Sequence, residues 1–487
     1  MNSYFKKVIE YTAGNFFTKF IYFLLIPILS RQLIPEEYAV YGNITIFMAF
    51  ASMLFLLGIQ QSLYPYFYEN KEKSYRFMLI SSVTITLLFT GILFTSLIIS
   101  NAALLSHLIT RSALYTSVIP LVGLAIFADS LFAISLSFLN IQEKSAPYII
   151  LGSLKNLLFL GLILIFSILS KLTILLLFQI MLVVSILSAV SALLVILKLQ
   201  NGYLKNIDHP TYYSTALIKD MLKFGLVMVP GTLAMMVLRM SDRYMITWLS
   251  TGQLYDTGIY SIGYRIGLIM QFPVSMVSMV YFPYAMKIAK NSDAYDNYSN
   301  AFKQFAVLGG ILGILLILFS RELILIFADS AYSESYKYVF AGVMSAYLLG
   351  LFNISNLISY VEKKAGSIAF AVITGAVLNI ILNYFGIIKI GIMGAAVSSV
   401  ISYLIILILN IYRLRKRKIT IFKLVTPFVV VLLMAVCGYA NTILPNNSLI
   451  LLAKIGLALI LLFSSLQFEI IKKYIKILRD TLKRIII

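Results

Sequence analysis

The sequence predicts an all-α polytopic membrane protein of about fourteen transmembrane helices, built as two six-helix lobes related by an internal repeat plus two C-terminal helices. Three observations predict it. The composition is strongly apolar, the basic residues collect in alternate gaps between apolar runs, and the second half of the chain echoes the first.

With 61% hydrophobic residues, 12% charged residues and a mean hydropathy of +0.95, the chain carries more apolar surface than a water-soluble core can hide. Lipid is therefore its solvent. A net charge of +20 would suggest nucleic acid in a soluble protein. Here the basic residues follow the loops, where anionic headgroups and the demands of insertion account for them, so nucleic acid is excluded as a partner. The one cysteine, Cys437, sits in an apolar run and rules out an internal disulfide.

Of the 39 Lys and Arg residues, 27 fall in alternate gaps, from Lys6 and Lys7 through Lys71 to Arg76 and onward to Lys472 to Arg484. The other gaps hold seven, and five lie inside apolar spans: Lys19, Lys155, Arg239, Arg243 and Arg265. Cytoplasmic loops retain Lys and Arg during insertion, so the rich side is the cytoplasm and both termini lie there. The chain is expected to cross its membrane many times.

Crossing the hydrocarbon core takes about 20 residues per helix. Candidate spans run near 11–31, 39–63, 77–100, 113–139, 147–169, 172–198, 221–249, 257–284, 304–327, 337–360, 366–388, 391–412, 424–443 and 448–468. The first carries Lys19 and lacks a small-residue cleavage site, so it reads as a retained helix rather than a signal peptide. Residues 1–200 form the N-lobe with helices 1–6, 201–220 a cytoplasmic linker, and 221–415 the C-lobe with helices 7–12. Residues 416–470 carry helices 13 and 14, and 471–487 a basic amphipathic segment with apolar residues at three- and four-residue intervals. That segment reads as a helix on the membrane surface or, equally, as a basic stop signal after the last span.

The repeat rests on three short matches in order. Tyr64-Pro65-Tyr66-Phe67 recurs as Phe282-Pro283-Tyr284-Ala285, Glu143-Lys144-Ser145-Ala146 as Glu362-Lys363-Lys364-Ala365, and Tyr38-Ala39-Val40-Tyr41 as Thr257-Gly258-Ile259-Tyr260. The spacing between the copies is the same in all three to within a single position. A period holding six spans inserts both copies in the same orientation, so the lobes relate by an axis along the membrane normal. Lobes of this kind face each other across a cleft that rocking exposes to either side, and transport is its natural use.

Charged side chains within spans cost about 2.5 to 3.5 kcal/mol each on insertion scales and should face protein or water. Arg239, Asp242 and Arg243 stand at helical positions i, i+3 and i+4, so Asp242 can neutralise only one arginine and a net positive face remains. Arg265 and Arg243 lie at depths that differ by about 3 Å, as two residues flanking one cavity would. Guanidinium groups hold phosphate oxygens in a bidentate manner and stay charged when partly desolvated, which suits a pyrophosphate or acidic sugar. A structural ion-pair knot is the competing account. Asn15 joins Thr12 and Lys19 in a polar stripe on the first span. Asp129 and Lys155 fall at similar depth, either as a structural pair or with Asp129 as an ion-coupling site. Asn353, Asn356, Asn379 and Asn383 either line a cavity toward sugar hydroxyls or bond helices together. Pro230-Gly231 within the seventh span is a candidate hinge or a static kink.

There is no Walker-type glycine loop, and two histidines with one cysteine make no metal site, so no cofactor is expected. No large extracytoplasmic loop is present to hold catalytic groups outside the bilayer, and an enzyme is not expected.

Ser30-Arg31-Gln32-Leu33-Ile34-Pro35-Glu36-Glu37-Tyr38 resembles the Ala-Arg-Leu-Leu-Gly-Pro-Glu-Glu-Tyr-Gly turn of the Wzx-type polysaccharide and O-antigen flippases, with Ile34 and Ala39 where that family usually has glycine. Ser241-Asp242-Arg243-Tyr244-Met245-Ile246, then Gly258-Ile259-Tyr260-Ser261 and Tyr264-Arg265, resembles its seventh-to-eighth-helix signature. These flippases belong to the multidrug/oligosaccharidyl-lipid/polysaccharide (MOP) exporter superfamily. The resemblance implies translocation of an undecaprenyl-pyrophosphate-linked oligosaccharide from the cytoplasmic to the outer leaflet by alternating access, in surface polysaccharide biosynthesis of the O-antigen or capsule type. It implies a cationic cavity, to which Arg239, Arg243, Arg265, Lys19 and Lys155 are the candidates here. H+ or Na+ antiport would drive it, with Asp129 and Asp242 as coupling or pairing groups. A polysaccharide polymerase and chain-length proteins are the implied protein partners. A lipid II flippase and a drug or cation antiporter of the same superfamily are the alternatives.

Overall fold

Hydrocarbon offers no hydrogen-bond partners, so every spanning segment must satisfy its own backbone, and the protein answers with helices throughout. The computed structural model describes residues 21, 23–204, 207, 209–362, 364–416, 424–444 and 447–466, among which no strand occurs. Lys19, Asn15 and the 471–487 segment lie outside the described residues.

Among the described residues twelve helices are long and apolar enough to cross a membrane, and two shorter apolar helices fill the first and last positions of the series. In chain order they are α1 (Phe23–Gln32), α2 (Pro35–Glu69), α3 (Lys73–Ser100), α4 (Val118–Ile141), α5 (Ser145–Leu169), α6 (Ile174–Leu204) and α7 (Thr215–Leu249). There follow α8 (Gln253–Lys287), α9 (Ala294–Leu318), α10 (Ser330–Val361), α11 (Ile368–Ile390), α12 (Ile392–Arg415), α13 (Val425–Ile443) and α14 (Ser448–Leu461). The expected spans from 39–63 onward each meet one of these helices, except that 304–327 also takes in a separate short helix, Ser320–Phe327, and most of 11–22 lies outside the described residues. The largest corrections at described boundaries among α2–α7 are the ends of α2 and α6, at Glu69 and Leu204 rather than 63 and 198, and the start of α7, at Thr215 rather than 221, capped by the Ser214 hydroxyl accepting from the Leu217 N–H. The expected linker 201–220 is shortened at both ends, by α6 running to Leu204 and by α7 starting at Thr215.

The chain divides into two compact units. The first takes the chain up to Ile262 with Phe327–Tyr332 and Ala369–Ser402, and the second takes the remainder, including Gly263–Ile326 and Ser333–Ile368. The units thus cut across the 1–200 and 221–415 halves of the repeat.

Within the first unit, α4 packs most extensively on α6, and a core of Ile59, Leu63, Leu79, Val83, Ile134 and Phe138 joins α2, α3 and α4. Small and hydroxylated residues allow the close approach, as where Thr95 Oγ1 donates to the Gly123 carbonyl at 3.3 Å. α2 breaks at Leu57-Gly58, both left-handed, and Gly58 sits against Gly225 of α7 so closely that a Cβ on either would overlap the other's backbone. α5 turns Ile150, Leu154, Ile165 and Ile168 outward, the apolar surface a lipid-facing helix requires.

The turn before α2 shows why its two missing glycines are harmless. Ile34 is extended (φ −71°), its N–H donates to Glu37 Oε2 at 3.3 Å, and Ala39 is ordinary helix. Neither position needs a positive φ.

Within the second unit, the Val339–Ser355 stretch of α10 is almost wholly buried, with Gly342 against Gly267 of α8. Gly310 and Gly313 of α9 leave room for Val430 and Met434 of α13. Polar contacts then tie down the last two helices. Asn441 Nδ2 donates to Ser320 Oγ at 2.8 Å, Arg321 Nη1 to the Leu444 carbonyl at 2.8 Å, and Lys454 Nζ meets Glu322 Oε1 at 2.9 Å. α13 and α14 are therefore bound to the second unit by more than apolar contact.

Gly225→Val is expected to separate α2 from α7 and lower the thermal transition of the purified protein by several degrees. Gly161→Ala, where a Cβ meets nothing within 4 Å, should leave it unchanged or slightly raised, because helix-interior glycine is the poorer choice by about 0.5–1 kcal/mol. Equal transitions in the two variants would refute the close-approach account.

Candidate functional site

Beyond Lys219, Asp220 and Lys223 in its first turns, α7 carries Arg239, Asp242 and Arg243 in the half that leads to the loop before α8, and its helical register decides their fates. Asp242 and Arg243 turn inward and are 1% and 5% exposed, whereas Arg239 is exposed. Asp242 Oδ2 accepts from the Tyr260 hydroxyl of α8 at 2.5 Å and from the Ser399 hydroxyl of α12 at 3.4 Å. Its Oδ1 accepts from the Arg243 N–H at 2.9 Å and lies 3.7 Å from Arg243 Nη1. A buried carboxylate is tolerated only when charge and lone pairs are both answered, and this one has a guanidinium and three donors.

Arg243 Nη1 also donates to the Arg239 carbonyl at 3.2 Å, which holds its head along the α7 axis. One turn further, Thr247 Oγ1 contacts Thr257 Oγ1 at 2.8 Å and receives the Asn43 amide of α2 at 2.9 Å. The Tyr244 hydroxyl donates to the Asn43 carbonyl at 2.6 Å. On the other side, Asn379 Oδ1 of α11 accepts from Ser241 Oγ at 3.1 Å and from Asn383 Nδ2 at 3.0 Å. Both asparagines are fully buried, and Asn379 Nδ2 and Asn383 Oδ1 have no hydrogen-bond partner among the described residues. Such groups are rare in native interiors and mark either stored cost or a place where something polar binds.

One polar cluster thus joins α2, α7, α8, α11 and α12 inside the first unit. The two motifs singled out in the sequence meet there: Gly258 lies against the Pro35 backbone, where a Cβ would not fit, while Tyr332 donates to the Leu33 carbonyl at 2.8 Å and packs edge-on to Tyr38. Sequence reasoning found Asp242, Arg243, Asn379 and Asn383. It missed Tyr260 as their partner, although the residue stood in a quoted motif, and it missed Ser399, Thr247 and Asn43, because hydroxyls and amides in an apolar helix carry no sign of which neighbour they meet.

The remaining candidates fall elsewhere. Lys155 Nζ lies 2.6 Å from Asp129 Oδ1, an α4–α5 pair about a fifth to a third exposed. Arg265, half-buried, belongs to the second unit, as do Asn353 and the buried Asn356. Pro230 leaves the Leu226 carbonyl without its helical donor, yet α7 runs through it unbroken. Among the described residues no group of three or more His, Cys, Asp or Glu could hold a metal ion.

A family model described as polysaccharide biosynthesis protein matches residues 4–289. No curated protein matches the chain. Among solved structures, the lipid II flippase MurJ in an inward closed conformation is 17% identical with a TM-score of 0.71, over 95% of this chain and 99% of that one. An inward-facing multidrug resistance MATE family transporter of the MOP superfamily is 14% identical with a TM-score of 0.66, over 82% and 95%. A MOP superfamily transporter from Pyrococcus furiosus, for which a reverse polarity of the binding pocket suggests a different function, is 12% identical with a TM-score of 0.57, over 85% and 96%. At these identities the likeness is one of fold.

Asp242→Leu leaves the buried Arg243 without its carboxylate and is expected to cost about 3–5 kcal/mol, read as a lowered thermal transition of the purified protein. Asp242→Leu with Arg243→Leu should recover most of that loss. A double variant as unstable as the single would show that the pair is not an energetic unit.

Proposed function

Because the chain belongs to the polysaccharide biosynthesis protein family, we propose that it is a flippase that carries an undecaprenyl-pyrophosphate-linked oligosaccharide from the cytoplasmic to the outer leaflet by alternating access. Its product would feed a polymerase and chain-length proteins that build a surface polysaccharide of the O-antigen or capsule type. The protein lies in the bacterial inner membrane with both termini in the cytoplasm, and the repeat halves 1–200 and 221–415 move against each other as lobes, with Pro230-Gly231 as hinge.

The observation that carries this reading is the charge balance on α7. Asp242 is committed to Arg243, and Arg239 stands exposed on the same helix with no carboxylate partner among the described residues. A pyrophosphate stripped of water needs such a cation, since moving it bare through hydrocarbon would cost many kcal/mol. Arg265 and Lys19 are the further cationic candidates for contact with the lipid-linked substrate. Lys155 adds no net charge, because Asp129 neutralises it.

Energy would enter as H+ or Na+ antiport. Asp129 and Asp242 are the two interior carboxylates that could carry the coupling ion, each released from its resting cation partner, Lys155 or Arg243, when the ion binds. A drug or cation antiporter would want free interior carboxylate, and Asp129 and Asp242 each already face a cation. Lipid II shares the pyrophosphate, so that reading differs in the headgroup beyond it.

In a strain lacking the chromosomal copy, Arg239→Ala and Arg265→Ala are expected to cut surface polysaccharide at least tenfold at wild-type abundance in the membrane, while Asp129→Asn with Lys155→Met keeps it. Full polysaccharide in both arginine variants would overturn the cationic-cavity reading, and restoration of cell-wall synthesis instead of polysaccharide would move the substrate to lipid II.

A further inference from the structure

The two copies of the repeat are interrupted at the same place by different means. α2 breaks at Leu57-Gly58, and at the corresponding point of the second copy α8 opens into a π-helix over Val277–Tyr281. In the second unit α10 is interrupted as well, at Asn356 between helices Val339–Ser355 and Leu357–Val361, whereas α4, its counterpart, runs unbroken from Val118 to Ile141. Single-turn π segments recur at functional sites because the extra residue flares the helix and re-aims its side chains.

What lies beside these interruptions differs between the copies. In the first unit the facing surfaces of α2 and α4 are solid core: Leu63 and Ile134 are fully buried and Ile141 is 2% exposed, in one apolar cluster. In the alignment that the three repeated motifs fix, the second unit has Tyr281 for Leu63, Asn353 for Ile134 and Tyr360 for Ile141. It also has Ser278 for Gln60 and Leu357 for Phe138, two smaller side chains. These five positions, with Phe282 and their neighbours, line a cavity of about 230 Å³. A site that one copy fills with Leu63, Ile134, Phe138 and Ile141 beside a single Gln60–Ser137 hydrogen bond of 3.2 Å the other has hollowed and made more polar, and lost packing of this kind is costly unless the space is used.

Its chemistry narrows the ligand. No lining side chain carries a formal charge, so the pyrophosphate has no reason to sit there. Asn353 Nδ2 stands 3.5 Å from Ser278 Oγ, too long for a strong bond, and Ser278 gives its own proton to the Val274 carbonyl at 2.9 Å, which leaves its lone pairs and the Asn353 amide for a hydroxylated guest. The Tyr281 hydroxyl is spent on the Asn297 carbonyl at 2.9 Å, so its ring is what the cavity sees. Tyr360 packs edge-on to Phe282 with centroids 5.3 Å apart and is 46% exposed, at the open side. Aromatic faces beside a few hydroxyl and amide groups suit a molecule with a C–H face and hydroxyls in one ring. Pockets for drug-sized ligands start at roughly 300 Å³. This one is smaller, with room for one ring and not several. Both α8 and α10 run on from the cavity into basic gaps, the side from which cargo would load.

We propose that this cavity, between the π segment of α8 and the interrupted end of α10, is a loading subsite for a single neutral pyranose ring of the lipid-linked oligosaccharide, resting on the flippase reading above. Asn353 and Ser278 hold hydroxyls, and Tyr281, Phe282 and Tyr360 supply the apolar face. The first copy of the repeat keeps the packed core that this site replaced.

The test uses the purified full chain in a non-glycosidic detergent. Binding is measured for polyprenyl pyrophosphates bearing glucose, galactose, N-acetylglucosamine or N-acetylgalactosamine, for bare polyprenyl pyrophosphate, and for the four methyl pyranosides. The wild type is expected to prefer at least one sugar-bearing lipid over the bare lipid by about tenfold, the worth of one or two neutral hydrogen bonds. Asn353→Ile and Tyr360→Ile restore the residues that the first copy carries in a folded core, and each should bring that ratio to about one without changing affinity for the bare lipid. No preference in the wild type, or a preference that survives both variants, overturns the subsite. Failure of the bare lipid to bind at all counts against the flippase reading instead; the methyl pyranosides then decide the subsite alone, which falls unless one binds the wild type at least tenfold better than Asn353→Ile.

Discussion

Hydrocarbon cannot solvate a peptide group or a charge, and that constraint underlies each level of this molecule. It forces the spanning segments into helices that close their own hydrogen bonds. It also means that a carboxylate such as Asp242 exists at depth only because Arg243, Tyr260 and Ser399 are brought to it from α7, α8 and α12. The helices of the first unit are thereby joined by a contact whose loss would strand a charge, a far larger penalty than loss of ordinary packing between surfaces as apolar as the lipid itself.

The same constraint separates structural polarity from polarity available to cargo. Lys155 with Asp129, Lys454 with Glu322 and Arg243 with Asp242 are answered locally and cancel. Arg239 keeps its charge at an exposed position on α7, and that surplus is what an anionic headgroup would meet. The proposed carrier therefore separates two tasks on one helix: the inward turn of α7 stores a buried pair that can respond to an ion, and the outward turn presents a cation.

Duplication adds a further economy. Both copies use the same helical frame, yet one has closed the space between its second and fourth helices with Leu63, Ile134 and Phe138, while the other has opened it with Ser278, Asn353 and Leu357. A packed core and a binding cavity are alternative uses of one position, and the irregular backbone of α8 and α10 accompanies the second use.

The sequence by itself determined the helical class and the span order, and its loop charges predict the orientation, because span length and loop charge are local properties read by the bilayer and the insertion machinery one segment at a time. It also marked Asp242 and Arg243 as costly residues, since a charge in an apolar run is visible without neighbours. Only the tertiary structure decided that Tyr260 and Ser399 answer Asp242, that Lys155 meets Asp129 and that Arg239 faces outward. Those outcomes depend on helix rotation and on which helices lie side by side, and hydroxyl and amide groups carry no long-range signature of either. The division of the chain at Ile262, within α8, was invisible for the same reason: units form where packing is dense, and the spacing of apolar runs records length, not neighbours.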